Sequence, residues 1–185
     1  MGYKATTAQL FTVPPNFLAF MVVVAAAWIS DRIKMRGPCI TVGLLIGLIG
    51  YIMNIASAKA SVRYAGTFFI AAGVFPCSPL VLAWLSNNLA PHYVKATGLG
   101  FQVAFGNCGA FVATFTYLPS AAPRYISGHA INIGAIGISL CLTVGIMAYI
   151  RVENAARANG KRDYRLQEDN EDGLGYRHPG FRYTT

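Results

Sequence analysis

Five long apolar stretches, at about 10–29, 39–57, 63–86, 97–118 and 127–150, take up most of the first 150 positions of this 185-residue chain. The hydrocarbon core of a bilayer is about 30 Å thick and an α-helix rises about 1.5 Å per residue, so a spanning helix needs about 20 apolar residues. Each stretch suits that length. Lipid offers no water to backbone N–H and C=O groups, so a segment of this kind spans only as a helix that bonds to itself. The sequence therefore predicts an all-α membrane protein with five transmembrane helices (10–150), preceded by a short amino-terminal segment (1–9) and followed by a tail (151–185).

Composition points the same way, with 55% of residues hydrophobic and 12% charged. The net charge of +8 raises the question of nucleic acid. The basic residues, however, stand at the ends of the apolar stretches and in the tail instead of lining one face of a soluble domain, so no nucleic-acid partner is expected and membrane lipid is. Cys39, Cys77, Cys108 and Cys141 fall one in each of four stretches, without a C-x-x-C pair or a histidine at ligand spacing. They read as small packing residues, with no metal site. Residues 1–9 lack the basic start and cleavage site of a signal peptide.

Five crossings place the two ends on opposite sides, and lysine and arginine mark the cytosolic one. One side carries Lys4, Lys59, Arg63 and Arg124; the other carries Arg32, Lys34, Arg36, Lys95, Arg151, Arg157, Lys161, Arg162, Arg165, Arg177 and Arg182, eleven against four. The expectation is an external amino terminus and a cytosolic carboxy terminus. The tail is charged and rich in Gly, Asn and Asp, with no sustained apolar face, and is expected to be mostly disordered or loosely helical.

Within the spans, Gly43, Gly47 and Gly50 give the second stretch a small-x-x-x-small face suited to close helix packing. Pro76 and Pro79 interrupt the third, which lipid tolerates only where neighbours or a wet cavity satisfy the freed backbone groups. Asn54, Gln102, Asn107 and Asn132 are polar groups at membrane depth, and such groups face a protein interior or a cavity. Gln102 and Asn107 lie roughly 140° apart around a helix, so a shared face is not required. Trp84, Asn87 and Asn88 end the third stretch as an interfacial aromatic followed by capping amides, and His129 opens the fifth as an interfacial histidine.

Six segments in order resemble the second half of a major facilitator superfamily transporter, in particular the fungal allantoate and nicotinate permease branch of the anion:cation symporters. They are LFTVPP (10–15), SDRIKMRGP (30–38), AWLSNNLAPHYVKATG (83–98), GNCG (106–109), APRYISGH (122–129) and the tail strings RDYRL (162–166) and HPGFRY (178–183). The resemblance covers nearly the whole chain. It implies a twelve-helix protein in two six-helix halves, of which the five stretches would be helices eight to twelve, a partial fold. Met1 would then fall in an external loop, as a truncated gene, a misplaced start or an incomplete gene model would each leave it.

What the resemblance implies for function is alternating access at the plasma membrane, moving a small organic anion such as a carboxylate, vitamin or ureide together with a coupling cation, without a cofactor. Asn54, Pro76, Pro79, Gln102, Asn107 and Asn132 become candidates for the substrate path. Trp84, Asn87 and Asn88 mark a cytosolic helix end. The loop residues Asp31, Arg32 and Arg36 become a cytosolic gate motif, with Asp31 contacting a helix end of the other half. Local charge balance by Arg32 and Arg36 is the simpler role for Asp31, which sits at the negative pole of its own helix. Alone, the chain is expected not to transport. A rival reading is a non-transporting membrane scaffold that presents Arg157, Lys161, Arg162 and Arg165 to cytosolic partners or anionic lipid, a cluster diluted by Glu168, Asp169, Glu171 and Asp172. No enzymatic pattern is present: there is no G-x-S-x-G, no phosphate loop, and Asp31 and Glu153 are the sole carboxylates next to the membrane.

Overall fold

The computed structural model describes residues 9–57, 59–117, 125–167 and 174–185. Most of the amino-terminal segment, Arg124 and the acidic residues Glu168, Asp169, Glu171 and Asp172 lie outside them. Among the described residues six α-helices follow one another: α1 (Val13–Ile33), α2 (Arg36–Ala56), α3 (Ala60–Val74), α4 (Cys77–Asn88), α5 (His92–Thr116) and α6 (Ile126–Ala158). Because α3 and α4 form one 29-residue span, the helices make five segments long and apolar enough to cross a membrane.

Local chemistry sets the boundaries. Pro14 and Pro15 open α1 where helical N–H groups have no partner in any case. Its C-cap, Lys34, takes the left-handed conformation at φ 57°, and Pro38 then sits in the first turn of α2. Between α3 and α4, Pro76 and Pro79 bring no N–H, so the carbonyls of Ala72 and Phe75 lose their intrahelical donors and the helix is interrupted at Phe75 and Pro76.

The centre of the bundle is α2, which packs along α3 and also against α4 and α6; α1 lies on α3, and α5 touches α4 and α6 lightly. Glycine makes the α2–α3 approach possible. A Cβ on Gly50 would stand 2.7 Å from the Gly66 carbonyl oxygen, one on Gly43 would stand 2.8 Å from that of Gly73, and one on Gly73 would collide with the backbone of Gly47. The core beside this seam is Ile40, Leu44, Cys77, Leu80, Trp84, Ile136 and Ile150. Phe17, Phe20 and Trp28 of α1 and Phe101, Phe105, Phe111 and Phe115 of α5 are exposed, an apolar outer surface suited to lipid.

The α1–α2 and α4–α5 junctions and the end of α6 share one end of the bundle, called the tail end below. At 33 residues α6 is about 50 Å long, so its last turns, beyond Arg151, project past a hydrocarbon core of about 30 Å.

The described part of the tail is ordered, against the expectation that it is mostly disordered or loosely helical. Among the described residues it turns through short 3-10 helices at Asp163–Gln167 and Gly175–Arg177, and residues 176–185 are bound across the tail end by hydrogen bonds. Its polar side chains gave no apolar face to read, but the contacts that order it run chiefly through its backbone.

Candidate functional site

Two adjoining cavities lie between α2, α4, α5 and α6. The larger, of about 550 Å³, is bordered by Leu44, Cys77, Ser78, Gln102, Asn107 and Ser139, among others. The smaller, of about 410 Å³, lies towards the tail end and is bordered by Trp84, Asn88, Gln102, Thr143, Tyr149 and Tyr183, among others. Gln102, Val81, Ser139 and Thr143 line both.

Gln102 stands ten residues into α5, about 15 Å along the helix. Its Oε1 is buried and has no hydrogen-bond partner among the described residues. A buried amide oxygen in that position costs about 1–3 kcal/mol, which makes it a place for a donor. Asn107 borders the larger cavity beside Gly106, where nothing stands within 4 Å of a notional Cβ. The two residues meet the same cavity despite their angular separation. Thr143 Oγ1 is used within its own helix, donating to the Ser139 carbonyl at 2.7 Å.

The other path candidates stand elsewhere. Asn54 is buried, donates to the Gly50 carbonyl at 2.9 Å and fills the space over Gly66, so it belongs to the α2–α3 seam. At the helix break Pro76 is buried, and Pro79 beside it is exposed. Asn132 lies at the far end, donating through Nδ2 to the Tyr117 hydroxyl at 2.9 Å and to the Gly128 carbonyl at 3.0 Å. His129 joins this cluster, its Nδ1 3.3 Å from the same hydroxyl and its ring 5.9 Å from that of Tyr51.

At the tail end, Asp31 is paired locally: Arg36 Nη2 donates to its Oδ1 at 2.8 Å, while the Asp31 side chain stays 66% exposed. Arg32 instead lies over the Trp28 ring at 5.2 Å. Trp84 is buried and is not an interfacial belt residue; its Nε1 donates to the Thr184 carbonyl at 2.8 Å. Asn88 binds Thr184 as well, and Asn87 is exposed.

The sequence reading missed the group that orders the tail. Glu153 and Arg157, one turn apart on the projecting end of α6, are 3% and 4% exposed. Arg157 Nε donates to Glu153 Oε1 at 3.1 Å, and its Nη1 donates to the carbonyls of Tyr176, His178 and Phe181 at 3.0, 3.3 and 3.0 Å. Its Nη2 donates to the Tyr183 hydroxyl at 2.9 Å, with the guanidinium over the Tyr183 ring at 4.4 Å. Arg162 closes on Glu153 at 2.6 Å and Arg165 lies 3.7 Å from it. The hydrogen bonds from Arg162, joined by those from Arg157, hold the Glu153 carboxyl below the usual carboxylate range against the opposing effect of burial. A lone carboxylate among arginines at the end of an apolar helix was the available signal.

No family model matches the chain, and no solved structure matches it. Curated proteins do. It is similar to fungal transporters. Over 187 aligned residues it is 33% identical to the high-affinity nicotinic acid transporter of Saccharomyces cerevisiae, an alignment covering 99% of this chain and 35% of that protein. It is 32% identical over 166 residues to an uncharacterized transporter of Schizosaccharomyces pombe, covering 89% of this chain and 32% of that one. A major facilitator superfamily (MFS)-type transporter of Penicillium expansum is 31% identical over 194 residues, with 99% and 37% covered. The chain spans about a third of the length of these relatives. Five apolar helices together with transporter relatives describe an integral, multi-pass membrane protein.

Proposed function

We propose that this chain is the carboxy-terminal part, helices eight to twelve, of a major facilitator superfamily transporter that carries a small organic anion with a coupling cation by alternating access. The observation that carries the reading is the 33% identity to a nicotinic acid transporter along 99% of the chain. The chambers meeting at Gln102 supply a place for cargo. The Gln102 amide can donate through Nε2 to a carboxylate, while its unpartnered Oε1 is open to an N–H or O–H donor elsewhere on the cargo. The residues named as lining the chambers are uncharged, so the anion's charge is met by the rest of the longer transporter. In this reading the tail end faces the cytosol, as the eleven basic residues on that side favour, and the membrane is the plasma membrane.

The scaffold alternative draws on exposed tail cations. Arg157, Arg162 and Arg165 are instead turned to Glu153, which favours the transporter reading.

The test is a graft in which residues 10–185 replace the matching third of the yeast nicotinic acid transporter, with nicotinate uptake measured in cells lacking their own carrier. In the active graft, Gln102→Ala is expected to raise KM by about tenfold or more, the worth of one hydrogen bond to a charged group. An unchanged KM would remove Gln102 from the path.

A further inference from the structure

Two asparagines on different helices hold consecutive residues of the tail by the same device. Asn154 of α6 donates through Nδ2 to the Tyr183 carbonyl at 2.8 Å and accepts the Tyr183 N–H on Oδ1 at 3.0 Å. Asn88 of α4 donates to the Thr184 carbonyl at 3.1 Å and accepts the Thr184 N–H at 2.8 Å. Trp84 donates to the same carbonyl, and the backbone N–H of Arg36, at the start of α2, donates to the Thr185 carbonyl at 2.7 Å. The last three residues thus bridge α2, α4 and α6. Tyr183 between them is part of the wall of the smaller chamber, beside Trp84 and Asn88.

The attachment is graded. Nearer α6, Arg157 grips three tail carbonyls from a buried position and is itself paired with Glu153, a charge-assisted cluster that is costly to open. The tip is held chiefly by amide-to-backbone and indole-to-backbone bonds, of the kind water replaces readily, with the Tyr183 side chain as its link to Arg157. From this geometry we infer that residues 183–185 form a gate tip, rooted at Arg157, that closes the chambers at the tail end and lifts to open them on that side. Its role as a control on transport rests on the function proposed above, whereas the closure itself does not.

The test uses the full chain with Cys39→Ser, Cys77→Ser, Cys108→Ser and Cys141→Ser and one reporter, Ser139→Cys, which borders both chambers. In proteoliposomes with the tail end outward, the labelling rate by a charged, impermeant methanethiosulfonate is compared with that of Asn88→Ala/Asn154→Ala and of a chain ending at Arg182. Loss of the four asparagine-to-backbone bonds in the double variant, and of these together with the bonds from Trp84, Arg36 and Arg157 in the shortened chain, is expected to speed labelling by about tenfold or more in both, because access follows the population of the open state. Hydrogen exchange at the Tyr183 and Thr184 amides, measured in the double variant, verifies that the tip has been released. Labelling within about twofold of the parent in both variants, with those amides exchanging freely, would overturn the gate. Faster labelling alongside a graft that takes up nothing would leave the gate standing and remove the transport reading.

Discussion

Arg157 donates to three tail carbonyls and to the Tyr183 hydroxyl while paired with Glu153, all with 4% of the residue exposed. A buried charge is tolerable only when its hydrogen-bonding capacity is filled, and breaking one such pair costs about 3–5 kcal/mol. Glu153 gives the cluster a pH dependence whose sign is fixed. Its folded pKa is lowered, chiefly by the hydrogen bonds from Arg162, so the stability it contributes is present above the unfolded value near 4.3 and is lost as pH falls through the folded one. Tail docking is therefore expected to persist at about pH 5 and to weaken only in stronger acid, read as hydrogen exchange at the Tyr183 and Thr184 amides. Protection already lost at about pH 6 would contradict this. Of these residues the sequence showed little. Trp84 and Thr184 are 100 positions apart, and no periodicity reports a backbone segment returning across the bundle to meet an indole. Gln102 and Asn107 were legible because an amide at membrane depth is expensive wherever it stands. What lipid cost could not tell apart was a cavity amide from a seam amide: Asn54 carries the same signal and packs over Gly66.

At the scale of helices, the spans were readable from length and apolarity alone, and so was the glycine face of α2, since small residues at that spacing are how two helix backbones come close in lipid. Its partner on α3 was not, because Gly66 and Gly73 sit seven apart and announce a helix face only once α2 is known to lie against it. The seam yields a prediction with a large effect. A Cβ on Gly73 already collides with the Gly47 backbone, so Gly73→Leu must drive α2 and α3 apart, at a cost of about 3 kcal/mol or more in thermal unfolding in detergent. Gly100, with nothing within 4 Å of its notional Cβ, should accept Ala with a gain of up to about 1 kcal/mol. Equal effects at the two sites would show that the seam is not where the helices meet. The helix break at Phe75 and Pro76 belongs to this scale too: two prolines announced it, and the structure places it in a span whose flanking residues Val74, Cys77 and Ser78 border the larger cavity.

For the whole molecule, five segments long and apolar enough to cross a membrane and a tail strap make a bundle that spans about a third of its transporter relatives. Along α5 the aromatic stripe from Phe101 to Phe115 is exposed, and the helix only lightly touches its neighbours. The chambers around Gln102 are proposed to serve transport as part of a longer protein. Uptake of labelled small organic acids, measured side by side for the graft and for the chain alone in proteoliposomes, tests it most directly. Saturable uptake is expected of the graft and none above empty vesicles of the chain alone; a graft that reaches the membrane and takes up nothing, or saturable uptake by the chain alone, would overturn this role for the chambers.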